Sequence, residues 1–171
     1  MSSWFAKIDT SKKLQIVDMG SGKGYLTFAL YDYLHNQLKL DVSITGVELR
    51  GNLVDLCNSI RTECGFENLQ FISKDINDFT SEEIDVIIAL HACDTATDLA
   101  IYKGIKANAE LIVCAPCCHK QVRKDMGTSN TFKAITKHGI FEERQAEMLT
   151  DAIRSLLMER EGYTTKAFEF I

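Results

Sequence analysis

Two rhythms of apolar residues alternate along the chain. Short runs rich in β-branched residues fall at about Leu14 to Met19, Val42 to Val47, Leu69 to Ile72, Ile84 to Leu90 and Glu110 to Ala115, each the length of a strand. Amphipathic stretches separate them, from about Tyr25 to Leu38, from about Leu53 to Glu63, and from Thr95, where Thr95-Ala96-Thr97-Asp98 has the spacing of a capping box. The longest predicted helix runs from about Glu142 to Glu161. Its Met148, Leu149, Ala152, Ile153, Leu156 and Leu157 recur at helical spacing, which reads as a core-packing stripe, and Gly162 stops it. Tyr163 to Ile171 reads as a sixth strand. Strand and helix in alternation predict an α/β fold, a doubly wound, Rossmann-like and mostly parallel sheet.

The bulk properties narrow the class. The chain has 171 residues, 46% of them hydrophobic, which is enough for one substantial core, so residues 1–171 are expected to form one domain. No apolar run of about 18 residues and no signal-peptide order occurs, so a soluble, cytoplasmic protein without a membrane partner is expected. Six cysteines in a chain with this much core-forming material and no export signal read as reduced thiols. A net charge of -5 argues against a surface that coats nucleic acid throughout. A local basic segment remains: Lys120, Arg123, Lys124, Lys133 and Lys137 stand against the single acid Asp125. It reads either as a solvated helix and loop or as a set of phosphate contacts.

The first candidate chemistry lies where the first strand ends, in Ile16-Val17-Asp18-Met19-Gly20-Ser21-Gly22-Lys23-Gly24. Glycines at a strand-to-helix turn let the backbone approach a ligand that a Cβ would push away. A Gly-x-Gly pattern alone also fits nicotinamide enzymes and plain tight turns. Asp18 two residues before the first glycine sharpens it, because a pyrophosphate has little use for an extra carboxylate, whereas the ammonium of S-adenosylmethionine does. Asp18, Gly20, Ser21, Gly22 and Gly24 are therefore expected to bind that cofactor. Glu48, at the tip of the second strand, is placed to accept the ribose hydroxyls, a feature that nicotinamide enzymes share. Asp75 and Ile76, after the third strand, are placed for the adenine amino group and a ring nitrogen. A solvated glutamate and an ordinary turn aspartate are the plain alternatives.

Ligands bind at the carboxyl ends of the strands in open α/β sheets, so His91 to Asp94 and Cys114 to Lys120 should converge on one cleft edge. His91 is expected to border the cofactor, or to be a strand-end histidine satisfied by backbone. Asp94 and His119 are candidates to remove a proton from an acceptor alcohol. Cys117 and Cys118 shape the pocket, present a nucleophile or ligate a metal; Cys114-x-x-Cys117 with His119 and Cys93 has zinc spacing, against which Cys114 is expected to point into the core. No metal is assigned.

His91-x-Cys93-x-x-Ala96-Thr97-Asp98 together with Cys117-Cys118-His119 and the glycine turn resembles the methyltransferase domain of the eukaryotic enzymes that 2′-O-methylate the tRNA acceptor stem, and related uncharacterised methyltransferases. The resemblance spans most of the first 120 residues. It implies a class I methyltransferase fold, S-adenosylmethionine as cofactor and transfer RNA as substrate. The chain departs from that family at Cys93-Asp94, where Cys-Gly is usual, and at Lys120, and its zinc-finger modules have no counterpart. A sheet of this class also carries a seventh, antiparallel strand, for which no residues remain after the sixth, so a truncated domain, a fragment of a longer protein or a sheet closed differently is expected.

The leading expectation is an RNA methyltransferase that uses segment 120–137 to position phosphates. The alternatives are a small-molecule or protein methyltransferase on the same scaffold, a cofactor-binding module without activity of its own, and a nicotinamide oxidoreductase. Oligomeric state is not legible in the sequence.

Overall fold

In the computed structural model, which describes residues 12–81, 83–90, 92, 95–117, 119–126 and 137–168, five parallel strands stand in the order β3-β2-β1-β4-β5. They span Leu14–Met19 (β1), Val42–Glu48 (β2), Leu69–Ser73 (β3), Val86–Ala89 (β4) and Leu111–Cys114 (β5). The helices are α1 (Tyr25–Tyr31, continued as a π-helix over Asp32–Gln37), α2 (Gly51–Glu63), α3 (Thr95–Lys106), α4 (Lys120–Asp125) and α5 (Gly139–Arg160).

The apolar strands are explained by two covered faces. On β1, Leu14 and Ile16 point into one core layer, with Ile44, Phe71, Val86 and Ile88, closed over by Tyr31, Leu34, Val54 and Cys57. Val17 and Met19 point the other way and join Val47, Ile87, Ala89, Phe79 and Ala100. Because neighbouring residues alternate faces, Asp18 falls on the same side as Leu14 and Ile16, towards α1. The chain runs outward from β1 to β3 and then returns to β4 on the far side of β1. That reversal opens a crevice at the carboxyl ends of β1 and β4, which is where the fold takes ligands.

Several boundaries differ from the sequence reading, each for a local reason. β4 starts at Val86 and not Ile84, because the Asp85 carboxylate accepts the Gln15 N–H at 2.7 Å and interrupts the ladder there. The sixth strand is not formed by the described residues 163–168; residues 169–171 lie outside them. Tyr163 instead donates its hydroxyl to the Ala109 carbonyl at 2.8 Å, tying the chain to the loop between α3 and β5.

The larger correction concerns α5. Its buried residues are Ala146, Thr150 and Arg154, not the long apolar stripe. Met148 is 70% and Leu156 65% exposed, and Leu149, Ile153 and Leu157 are exposed as well. The helix is held by an ionic anchor that hydrophobic periodicity cannot show: buried Arg154 donates from Nε to Asp98 at 2.7 Å and from Nη1 to Asp151 at 3.1 Å.

Candidate functional site

After β1 the backbone turns on three glycines in the left-handed region, Gly20 (φ 78°), Gly22 (φ 57°) and Gly24 (φ 71°), a conformation that residues with a Cβ adopt at a cost. The turn is laced to the end of β2, since the Gly20 and Ser21 amides donate to the Val47 carbonyl at 2.8 and 3.1 Å. Its outer side is open. Among the described residues, a methyl group on Gly20 or Gly22 would meet no atom nearer than 4.0 Å. Its inner side is filled, because a methyl on Gly24 or Gly46 would stand 2.8 or 2.5 Å from the Phe71 ring. The Ser21 hydroxyl oxygen, buried in this turn, has no hydrogen-bond partner among the described residues.

The three predicted acids stand around the turn in different states. Asp18 is buried and accepts the Thr27 hydroxyl at 2.7 Å, so Thr27 on α1 fixes its carboxylate. Glu48 accepts the Gly22 and Arg50 amides, each at 3.0 Å, and the Arg50 guanidinium at 2.8 and 3.2 Å. The Arg50 side chain holds this carboxyl below the usual glutamate range against the opposing effect of burial. Strand register places Glu48 opposite Ser73, so Asp75 lies just beyond the neighbouring strand end. There the Asp75 carboxylate accepts the Asn77 backbone and side-chain N–H groups at 2.8 and 3.0 Å, an Asx turn. Ile76 packs against the second core layer.

Arg50 and Leu49 also border this turn and were not singled out in the sequence. Leu49 is a large apolar side chain left exposed directly after Glu48. Its signal was available, since a strand's apolar run continued one residue past its acidic tip.

The second cluster forms where β4 and β5 end together, with Ala89 opposite Cys114 and the Ala115 amide donating to the Ala89 carbonyl at 3.1 Å. His91, Cys93, Asp94 and Cys118 lie outside the described residues. Cys117 is exposed, whereas His119 is 4% exposed and its Nδ1 has no hydrogen-bond partner among the described residues. Cys114 packs against the second core layer, and burial pushes its thiol up to about 12. Asp98 faces Arg154, as an anchor for α5. A cavity of about 290 Å³ lies between Cys117 and His119 on one side and Ile140, Glu143 and Arg144 of α5 on the other. In the basic segment, Arg123 is ion-paired to Glu142 at 3.1 Å and to Glu143, while Lys120, Lys124 and Lys137 are exposed; Lys133 lies outside the described residues.

These features define a nucleoside-binding α/β domain of the methyltransferase class, whose cofactor is S-adenosylmethionine. The residues fit that group on three grounds: the open outer side of the turn, the unpartnered Ser21 hydroxyl, and acids at the tip of β2 and just past β3. Comparison with known proteins agrees. A family model described as a methyltransferase domain matches residues 2–125, and the chain belongs to that family. It is 31% identical over 105 residues to the glutathione S-transferase C-terminal domain-containing protein of Homo sapiens, covering 61% of this chain and 16% of that protein. The Drosophila melanogaster homolog is 31% identical over 110 residues, 61% of this chain and 17% of the homolog. The chain thus spans about a sixth of the length of the curated relatives it matches. Among solved structures, the O-methyltransferase domain StiE O-MT superposes with a TM-score of 0.50 at 14% identity, over 71% of this chain and 47% of that one, a likeness of fold. Among the described residues no helix is long and apolar enough to cross a membrane.

Proposed function

We propose that this domain binds S-adenosylmethionine along the carboxyl edge of β1 to β3 and methylates an RNA acceptor placed at the ends of β4 and β5. The observation that carries the reading is the turn itself: three left-handed glycines, open on one side and packed on Phe71 on the other, ending beside Glu48. Asp18, held by Thr27, and Ser21 would take the amino-acid end of the cofactor. Glu48 would accept the ribose hydroxyls, and exposed Leu49, Asp75 and Ile76 would flank the adenine. When bound, the cofactor supplies an electrophilic methyl carbon. The chain's task is then alignment, water exclusion and removal of the acceptor's proton. His119, nearly excluded from water with an uncommitted ring nitrogen, and Asp94 are the residues assigned to the proton.

The RNA acceptor, with transfer of methyl to a ribose 2′-oxygen of tRNA as its sharpest form, is supported by the family resemblance and by exposed Lys120, Lys124 and Lys137. A small-molecule acceptor is the second reading. It is favoured by the cavity beside His119 and by Arg123, whose charge is spent on Glu142 and Glu143 and is unavailable to phosphates. The two separate by titrating tRNA into the purified chain at about 50 and about 200 mM salt. Binding that weakens steeply with salt, together with transfer of labelled methyl from S-adenosylmethionine to the tRNA, supports the RNA reading. No binding at the lower salt overturns it.

A further inference from the structure

Glu48 has no acceptor capacity to spare. A carboxylate offers about four lone-pair positions, and four donors fill them: the Arg50 amide and Nε on Oε1, the Gly22 amide and Arg50 Nη2 on Oε2. The two amides are fixed by the glycine turn and by the start of α2. The other two donors belong to one guanidinium, which grips one oxygen with each arm. A ribose diol donating one hydroxyl to each carboxylate oxygen would need those same two positions.

We propose that the Arg50 guanidinium is a latch on the ribose subsite: it occupies Glu48 in the ligand-free domain, must swing off for the nucleoside to bind, and thereby sets cofactor affinity. The inference rests on the S-adenosylmethionine reading of the site. Three observations carry it. The guanidinium reproduces the donor pattern of a vicinal diol on the same two oxygens. The Arg50 side chain is 64% exposed while that of Glu48 is 8% exposed, so the mobile partner is the arginine, and water can solvate it once it leaves. Its Nη2 also stands only 4.0 Å from the position of a methyl on Gly22, so the same group lies over the open side of the turn. The arginine end of the pair stands in solvent, so a ligand that brings two donors to the same oxygens can displace it. The opposite role, an arginine that stays in place and orients Glu48 for the cofactor, makes the opposite prediction.

The test titrates S-adenosylhomocysteine into the full chain by calorimetry for the unaltered protein, Arg50→Met and Glu48→Gln, and follows arginine Nε–H signals by ¹⁵N NMR. The Arg50 signal is assigned in the unaltered, uniformly labelled protein through its own bonded side-chain carbons. The latch predicts about two- to fivefold tighter binding in Arg50→Met, the range expected for freeing an exposed pair. It predicts weaker binding in Glu48→Gln, and an Arg50 Nε–H that is protected from water exchange in the free protein but exchanges rapidly at saturation. Unchanged or weaker binding in a folded Arg50→Met overturns the latch, as does an Nε–H still protected at saturation, a readout that survives even if the variant fails to fold. If the folded, unaltered chain binds no S-adenosylhomocysteine, the nucleoside reading fails and the latch fails with it; binding without release of Arg50 sinks the latch alone.

Discussion

The half of the sheet built on β1, β2 and β3 and the side built on β5 and α5 are assembled by different means. In the first, Val42, Ile44, Val47 and Leu69 are fully buried, and Phe28, Tyr31, Phe66 and Phe71 form a ring cluster with centroids 4.7 to 6.3 Å apart. In the second, every residue of β5 is only half-buried, and α5 is fastened by Arg154 while its apolar stripe faces outward. The glycine turn thus stands on a dense core, whereas β5 and α5 stand on half-buried residues and ion pairs.

The strongest way to test that contrast is to weaken each half at a comparable position. Phe71→Ala removes a ring that packs on Phe28 and supports Gly24 and Gly46, and should cost about 3 to 5 kcal/mol in urea unfolding. Leu111→Ala on half-buried β5 should cost clearly less, about 1 to 2 kcal/mol. Equal costs would erase the distinction between a dense and a loose half. Next in size is Asp98→Ala, which strips a partner from buried Arg154 and leaves it with Asp151 among its remaining contacts. A loss of about 1 to 3 kcal/mol is expected. If stability is unchanged, the ionic anchor does not hold α5.

Gly22→Ala tests the turn without disturbing the core. The methyl has room, so the cost is the left-handed backbone alone, about 1 to 2 kcal/mol. Calorimetry with S-adenosylhomocysteine should show weakened binding beyond what the unfolding curve shows, since the strained turn relaxes away from the ligand. Binding at full strength would place the cofactor elsewhere.

How much of this was legible in the sequence follows the same division. β1 was readable to the residue, and β2 and β3 to within one residue at their ends, because short runs rich in β-branched and apolar residues have the length and composition of strands. The glycine turn and Glu48 were readable because backbone needs and strand-end position are local properties. What failed depended on distant partners. The stripe on α5 has the spacing of a core face, yet the helix turns Ala146, Thr150 and Arg154 inward because Asp98, 56 positions away, pairs with Arg154. Arg50 carried no motif, and its meaning lies in three hydrogen bonds to a neighbouring carboxylate. Asp98 was part of a predicted cap and proved to be an anchor.

Acid separates the two halves more gently. Because Arg50 lowers the carboxyl of Glu48 below its ordinary value of about 4.3, the folded state binds that proton less readily than the unfolded state. The stability this contributes is fully present above the ordinary value and is lost as pH falls through the lowered one. In urea titrations from about pH 6 down to pH 3, Glu48→Gln should lose this part of the acid sensitivity, and Arg50→Met should reduce it. A curve for Glu48→Gln that parallels the unaltered protein would show that the pair does not persist in solution.

The smallest effect is the one that decides how α5 is read. Leu156→Glu places a charge on a stripe that periodicity assigns to a core and that the fold leaves exposed. Were Leu156 packed inside, even truncation would cost about 2 to 5 kcal/mol and a buried charge more. On an exposed helix face the change should stay within about 0.5 kcal/mol, while Ala146→Leu, at a fully buried position of α5, should destabilise by about 1 to 3 kcal/mol. Thermal unfolding of the two variants side by side reads the orientation of the helix directly, because rotating α5 to bury its stripe would exchange the two outcomes.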